Sequence, residues 1–301
     1  MENTPSIKKK RKPKPGELVI ETVIKAFSIF TIFVTGVIIY TLVSESLVFF
    51  AHVPIKDFAL GTVWTPLFEP QRFGVIPLIV GTMSIAFYSM LVAIPLGLGS
   101  AIYLSEYAHK NVRAVIKPIL EVLAGIPSIV YGYFALNYIT PILQYLNPST
   151  EIYNTLSASI AVGIMILPLV ASLSEDAMNA VPNAMRNGAY ALGATKLEVA
   201  RNIVIPAAKS GVISSFVLAV SRAVGETMIV ALAAGSNPRL TFNPFKSIQT
   251  MTGYMVATAN GDIAVGSIGY QTIFAVGMVL FLLTFALNLF ARQFISHKRR
   301  G

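Results

Sequence analysis

No cysteine occurs among the 301 residues, which removes disulfides and thiolate metal sites. Charge is also scarce: Asp, Glu, Lys and Arg make up 12% of the chain, against about a quarter in soluble domains. The three histidines, His52, His109 and His297, lie far apart in sequence, so a histidine metal cluster is not expected. The G-x-x-x-x-G-K-[ST] loop that cradles nucleotide phosphates is missing. So are H-E-x-x-H, a pair of intramembrane aspartates and any supported Ser/His/Asp arrangement. The expectation is a non-catalytic chain without a cofactor of its own. What remains is 54% hydrophobic, with mean hydropathy +0.68. Several runs exceed the roughly 20 apolar residues that cross a bilayer as a helix.

Uncharged runs predict six spans: 26–44, within 73–105, within 122–150, 152–174, within 211–234, and 268–291. They are too long for barrel strands, and helices satisfy their own backbone in lipid. The chain thus reads as an all-α integral membrane protein. The first run is longer than a signal-peptide core and reads as a retained helix. Lysines and arginines set the orientation. The N-terminus, the second and fourth connections and the C-terminus hold eighteen of the 23 basic residues. The opposite connections hold only Lys56, Arg72, Arg239 and Lys246. Both termini are therefore expected in the cytoplasm, and the net charge of +9 needs no nucleic acid to explain it. The expected layout is a basic tail at 1–25, a first helix at 26–50, an extracytoplasmic loop at 51–74, a membrane domain at 75–291 and a basic tail at 292–301.

One basic residue belongs to neither side. In "SRAVGETMIV", Arg222 and Glu226 are the only charges between Lys209 and Arg239. A charge at mid-bilayer costs roughly 2.5–3.5 kcal/mol even on the lenient insertion scale, so it faces a bundle interior or a wet cavity. Two readings stand. The residues, four apart on one helix, pair with each other and fix packing. Alternatively they line a pathway, Arg222 offering planar paired donors to an anion. Glu226 would then hold the empty Arg222 or accept a hydrogen from a protonated anion. Glycines and prolines interrupt other spans, among them Gly125 and Pro127 in "LAGIPSIVYGYF". These serve close packing, or they break the helix so that backbone N–H groups near Pro127 and Ser128 face an anion.

The fourth connection, 175–209, is rich in helix formers. Pro182 breaks it early, and Gly193 separates "NAMRNGAYAL" from "TKLEVARNIVI". Thr195 followed by Glu198 predicts a capping box. The segment reads as two short helices joined at Leu192-Gly193-Ala194, either a surface connector or a functional element. Gly193, nine residues, then Ile203-Val204-Ile205-Pro206 resembles the cytoplasmic E-A-A…G…I-x-L-P loop of ABC importer permeases. Asn187-Gly188-Ala189 stands in place of Glu-Ala-Ala, and Ile205 in place of Leu.

With "LAGIPSIVYGYFAL", "ALGATKLEVARNIVIPAA", "SRAVGETMIVALAAG" and "MTGYMVATANGD", residues 73–296 resemble the PstC-type permeases of bacterial phosphate importers. The resemblance implies a type I importer permease fold in a bacterial or archaeal cell membrane. It implies a coupling loop centred on Gly193 that seats on an ATPase subunit (PstB-type), which would hold the ATP and magnesium. It further implies a second permease (PstA-type), an extracytoplasmic phosphate-binding protein (PstS-type) and a path through Arg222 and Glu226. Sulfate, molybdate or tungstate would suit an arginine equally. A secondary anion carrier or channel is the alternative that needs no ATPase.

Overall fold

The computed structural model describes residues 15–297. Parts of the expected tails at 1–25 and 292–301 lie outside them. Five helices are long and apolar enough to cross a membrane, and a bent helix pair makes six if it is counted as one span. The first, α1 (Pro15–His52), starts and ends well beyond the expected span. Most of its large apolar side chains, Phe27, Phe33 and Ile38 among them, are exposed, as suits a helix bathed in lipid, whereas Phe49 near its end is buried. It packs along the last helix, α13 (Ile268–His297).

The stretch 51–74 is more than a loop. It holds α2 (Ile55–Leu60) and a two-residue hairpin, β1 (Trp64–Thr65) against β2 (Arg72–Phe73), with Trp64 opposite Phe73. Edge-to-face rings bind this cap to the bundle: Phe49 lies 5.5 Å from both Phe58 and Phe73, and Trp64 lies 5.0 Å from Tyr254.

The centre of the bundle is α3 (Ile76–Ile102, ending in a π turn Tyr103–Tyr107) against α7 (Thr155–Asn179). In lipid, helices associate through close van der Waals fit, so small residues collect at the contact. A Cβ on Gly163 would meet Val92 at 2.9 Å, and one on Gly97 would meet Val170 at 2.8 Å. Ala93, Ala158, Ala161 and Ala171 are fully buried around them.

The third span differs from expectation. An amphipathic helix, α4 (Lys110–Gly125), comes first. The chain then bends by 88° at Ile126-Pro127 into α5 (Ser128–Phe134), a π turn (Ala135–Ile139) and α6 (Thr140–Leu146). Pro127 lacks an N–H and disfavours helix in the residue before it, so the helix cannot run through.

The connection after α7 starts with α8 (Asn183–Ala191), with Pro182 at the position before its first residue. The second helix, α9 (Lys196–Val199), is not a separate short piece. It runs through a π turn (Ala200–Val204) into α10 (Ile205–Val224), one span of 29 residues. Pro206 follows directly on the π turn, where the i→i−4 ladder is already interrupted. The fifth span then stops short of its expected end. Gly225 closes α10, and α11 (Met228–Ala233) follows as a new helix, with α12 (Met251–Ala259) beyond a pinned loop.

Candidate functional site

Arg222 lies in the last turn of α10 and is exposed within this chain. It lines a cavity of about 360 Å³ between α4, α7 and α10, together with Met165, Pro168, Lys117 and Glu175. The Ser174–Ser215 hydroxyl contact of 2.8 Å fixes the antiparallel register of α7 and α10. Seven residues on, Arg222 stands level with Leu167, about 12 Å deeper than Glu175 at 1.5 Å per residue.

Glu226 does not pair with Arg222. The expected four-residue spacing assumed a continuous helix, and the break at Gly225 turns Glu226 away. Its Oε1 accepts the Ile229 N–H at 3.2 Å, and its backbone carbonyl accepts the Thr252 hydroxyl at 2.6 Å. Glu226 is thus a buried cap on α11. Gly125 and Pro127 are exposed and Ser128 half-buried. Pro127 occupies the cap position of α5, and Gly125 closes α4. None of the three lines the cavity that holds Arg222.

In the cytoplasmic elbow, Gly193 has φ +82°, the left-handed conformation that glycine adopts without a Cβ penalty. It lets α8 turn sharply toward α9. Thr195 and Glu198 form the reciprocal capping box: Glu198 Oε2 accepts the Thr195 N–H at 2.8 Å, and Glu198 N–H donates to Thr195 Oγ1 at 3.4 Å. Leu192 at the tip is 90% exposed, with Asn187 and Gly188 exposed on α8. Ala189, Ala194 and Ile203 pack inward against Met178, Val199 and Val204, whereas Pro206 is exposed. The elbow therefore has an apolar inner face seated on α7 and α10, and an open outer tip.

Two buried acids escaped the sequence reading. Glu106, in the π turn after α3, accepts from Arg186 Nη2 at 3.0 Å, while Arg186 also caps the carbonyls of Met178 and Val181 at 2.7 and 2.5 Å. This ties α8 to the ends of α3 and α7. Glu175 is wholly buried and pairs with Arg113 and, at 3.1 Å, with Lys117 of α4. Both acids close long apolar runs, so in sequence they look like the first charges of a solvated connection. The one available signal was a basic residue seven or so positions beyond a helix end, which is too common to act on.

Helices broken inside the membrane, a charged cavity and a glycine-hinged elbow are the features of a membrane transport permease. The comparisons give the family. Residues 93–300 match the model of the binding-protein-dependent transport system inner membrane component, and the chain belongs to that family. It is 35% identical over 265 residues to the phosphate transport system permease protein PstC of Xylella fastidiosa, covering 81% of this chain and 80% of the relative. It is 34% identical over 244 residues to a probable ABC transporter permease, YqgH, of Bacillus subtilis, covering 81% and 78%. A bacterial alginate ABC transporter structure superposes with a TM-score of 0.63 at 14% identity, over 92% of this chain and 94% of that one. The methionine transporter MetNI superposes with a TM-score of 0.53 at 17% identity, over 74% and 94%. The fold is that of a type I ABC importer permease, multi-pass in the cell membrane.

Proposed function

We propose that this chain is one of two permeases of a phosphate importer, forming half of the path and coupling it to ATP hydrolysis on a separate subunit. The observation that carries the reading is Arg222, a guanidinium opening into a membrane cavity in a chain whose relatives are named phosphate permeases. A guanidinium stays charged and meets two phosphate oxygens with parallel N–H donors. Glu226 acts differently: by capping α11 it holds open the break that brings Arg222 to the cavity. The implied partners are a second permease, a pair of ATPase subunits on the elbow and an extracytoplasmic phosphate-binding protein. ATP and magnesium would sit on the ATPase, which leaves this chain non-catalytic. Membership of the binding-protein-dependent family favours this over a free-standing secondary carrier.

The test is Arg222→Gln in the assembled transporter. The variant should insert and keep its ATPase, while phosphate uptake falls by at least about tenfold, the equivalent of one charged hydrogen bond. Normal uptake would sink the reading. Competition by sulfate and molybdate in the native complex assigns the oxyanion: inhibition by either at phosphate-like concentration would replace phosphate as the substrate.

A further inference from the structure

The cavity below Arg222 ends in a charge arrangement that the path through Arg222 alone does not use. Glu175 is fully buried on α7, and two cations from another helix converge on it. Their side chains are 33% and 34% exposed, so each keeps a face toward water. Arg113 has five donors and Lys117 three, more than the single carboxylate can occupy. Asn179 Nδ2 also donates to Glu175 Oε1 at 3.2 Å, which leaves the carboxylate a bond that does not depend on either cation. The three buried or half-buried charges leave one positive charge over. Asp176, 3.7 Å away, shares Lys117, and Glu121 adds a further carboxylate at the exposed rim, so an anion that binds here displaces Asp176 as well as Glu175. The helix that carries both cations, α4, has no fully buried residue and packs chiefly on α7.

Resting on the phosphate reading above, we propose that Arg113 and Lys117 form a second anion station at the cytoplasmic mouth of the path, with Glu175 as a resident counter-charge that trades places with the transported anion. An anion leaving Arg222 meets Lys117, held by α4 beside Glu175, about 12 Å further on along α7. It binds the water-facing donors, and Glu175 falls back on Asn179. Because the carboxylate is tethered, its effective concentration beside the cations is high. It reclaims them and expels the anion, which keeps the station weak enough to release. A buried ion cluster is otherwise poor value for stability, since desolvating its charges offsets their attraction.

The experiment uses the complete transporter with inorganic phosphate as the probe. Lys117→Gln should lower maximal uptake about tenfold with KM for external phosphate unchanged, because capture happens on the other side. Lys117→Arg should restore uptake. The doubly neutral Lys117→Gln/Glu175→Gln should stay as slow as Lys117→Gln; full recovery would mean that the two charges need only each other, and overturns the proposal. Should Lys117→Gln fail to assemble, Glu175→Gln decides through inhibition by phosphate on the cytoplasmic side. Without the counter-charge, that inhibition should set in at about tenfold lower concentration, and an unchanged value overturns the station. Arg222→Gln run in parallel separates the two failures: normal uptake there removes the phosphate path itself, whereas lost uptake with a recovered double variant removes only the station.

Discussion

Glu226 follows Arg222 by four positions, yet the two side chains serve different elements because α10 stops between them at Gly225. Sequence spacing alone puts both on one face; the break decides otherwise. The expected behaviour of the acid is therefore that of a cap. Glu226→Gln keeps an oxygen for the Ile229 N–H and should leave thermal stability of the purified complex nearly unchanged. Glu226→Ala orphans that buried donor and should cost about 1 kcal/mol, the usual loss on removing a cap. Equal melting curves for the two variants would show that the carboxylate has another main role. Glu106 and Glu175 carry the same lesson. Each is an unremarkable letter at the end of an apolar run, and only the packing of a distant helix makes it the anchor for Arg186 or for Arg113 and Lys117.

At the scale of elements, the elbow was the most legible part of the chain. Gly193, Thr195 and Glu198 act through contacts within a few residues, so local pattern suffices to place the turn and the capping box. Its continuation was not legible. The run from Lys196 to Val224 reads as a polar helix followed by an apolar one, but a π turn ahead of Pro206 joins them into a single rod. A rod that runs from the elbow to Arg222 can carry a displacement along its length. The exposed tip is where such a displacement would enter. Leu192→Asp should leave the permease folded, because the side chain is 90% exposed. Burying a leucine is worth roughly 1.5–3 kcal/mol, so retention of the ATPase in pull-downs should weaken about ten- to a hundredfold. Full retention would place the docking surface elsewhere.

At the scale of the whole molecule, one carboxylate gathers the connections at the end opposite the elbow. Glu151 accepts the Ser247 N–H at 2.7 Å and pairs with Arg239 at 3.2 Å and Lys246 at 3.4 Å, pinning the loop between α11 and α12 onto the start of α7. The Ser247 bond first, then the two cations, hold its carboxyl below the ordinary range. Its folded value is lowered, so its stabilisation is present above the ordinary carboxylate range and fades as pH falls through the depressed value. Proteolysis of the loop 234–250 in sealed vesicles should stay slow at neutral pH and quicken in acid below that range. In Glu151→Gln the loop should be cut faster at neutral pH, and the acid dependence should flatten. A mutant with the native pH profile would assign the anchoring to other contacts.

The sequence by itself determined the membrane class, the apolar helices and the elbow. Each of these depends on composition or on contacts between near neighbours: apolar length against bilayer thickness, and a glycine at a left-handed turn. Tertiary structure alone decided where helices break and which charges meet. The 88° bend at Pro127, the stop at Gly225, and the meeting of Glu175 with Arg113 and Lys117 turn on which helix lies alongside which. A proline or glycine in lipid is compatible with either a kink or a straight packed helix, and a buried charge is tolerable only if a partner arrives from elsewhere in the chain. That information lies in the packing of α4 and α10 on α7, not in the spacing of letters along any one of them.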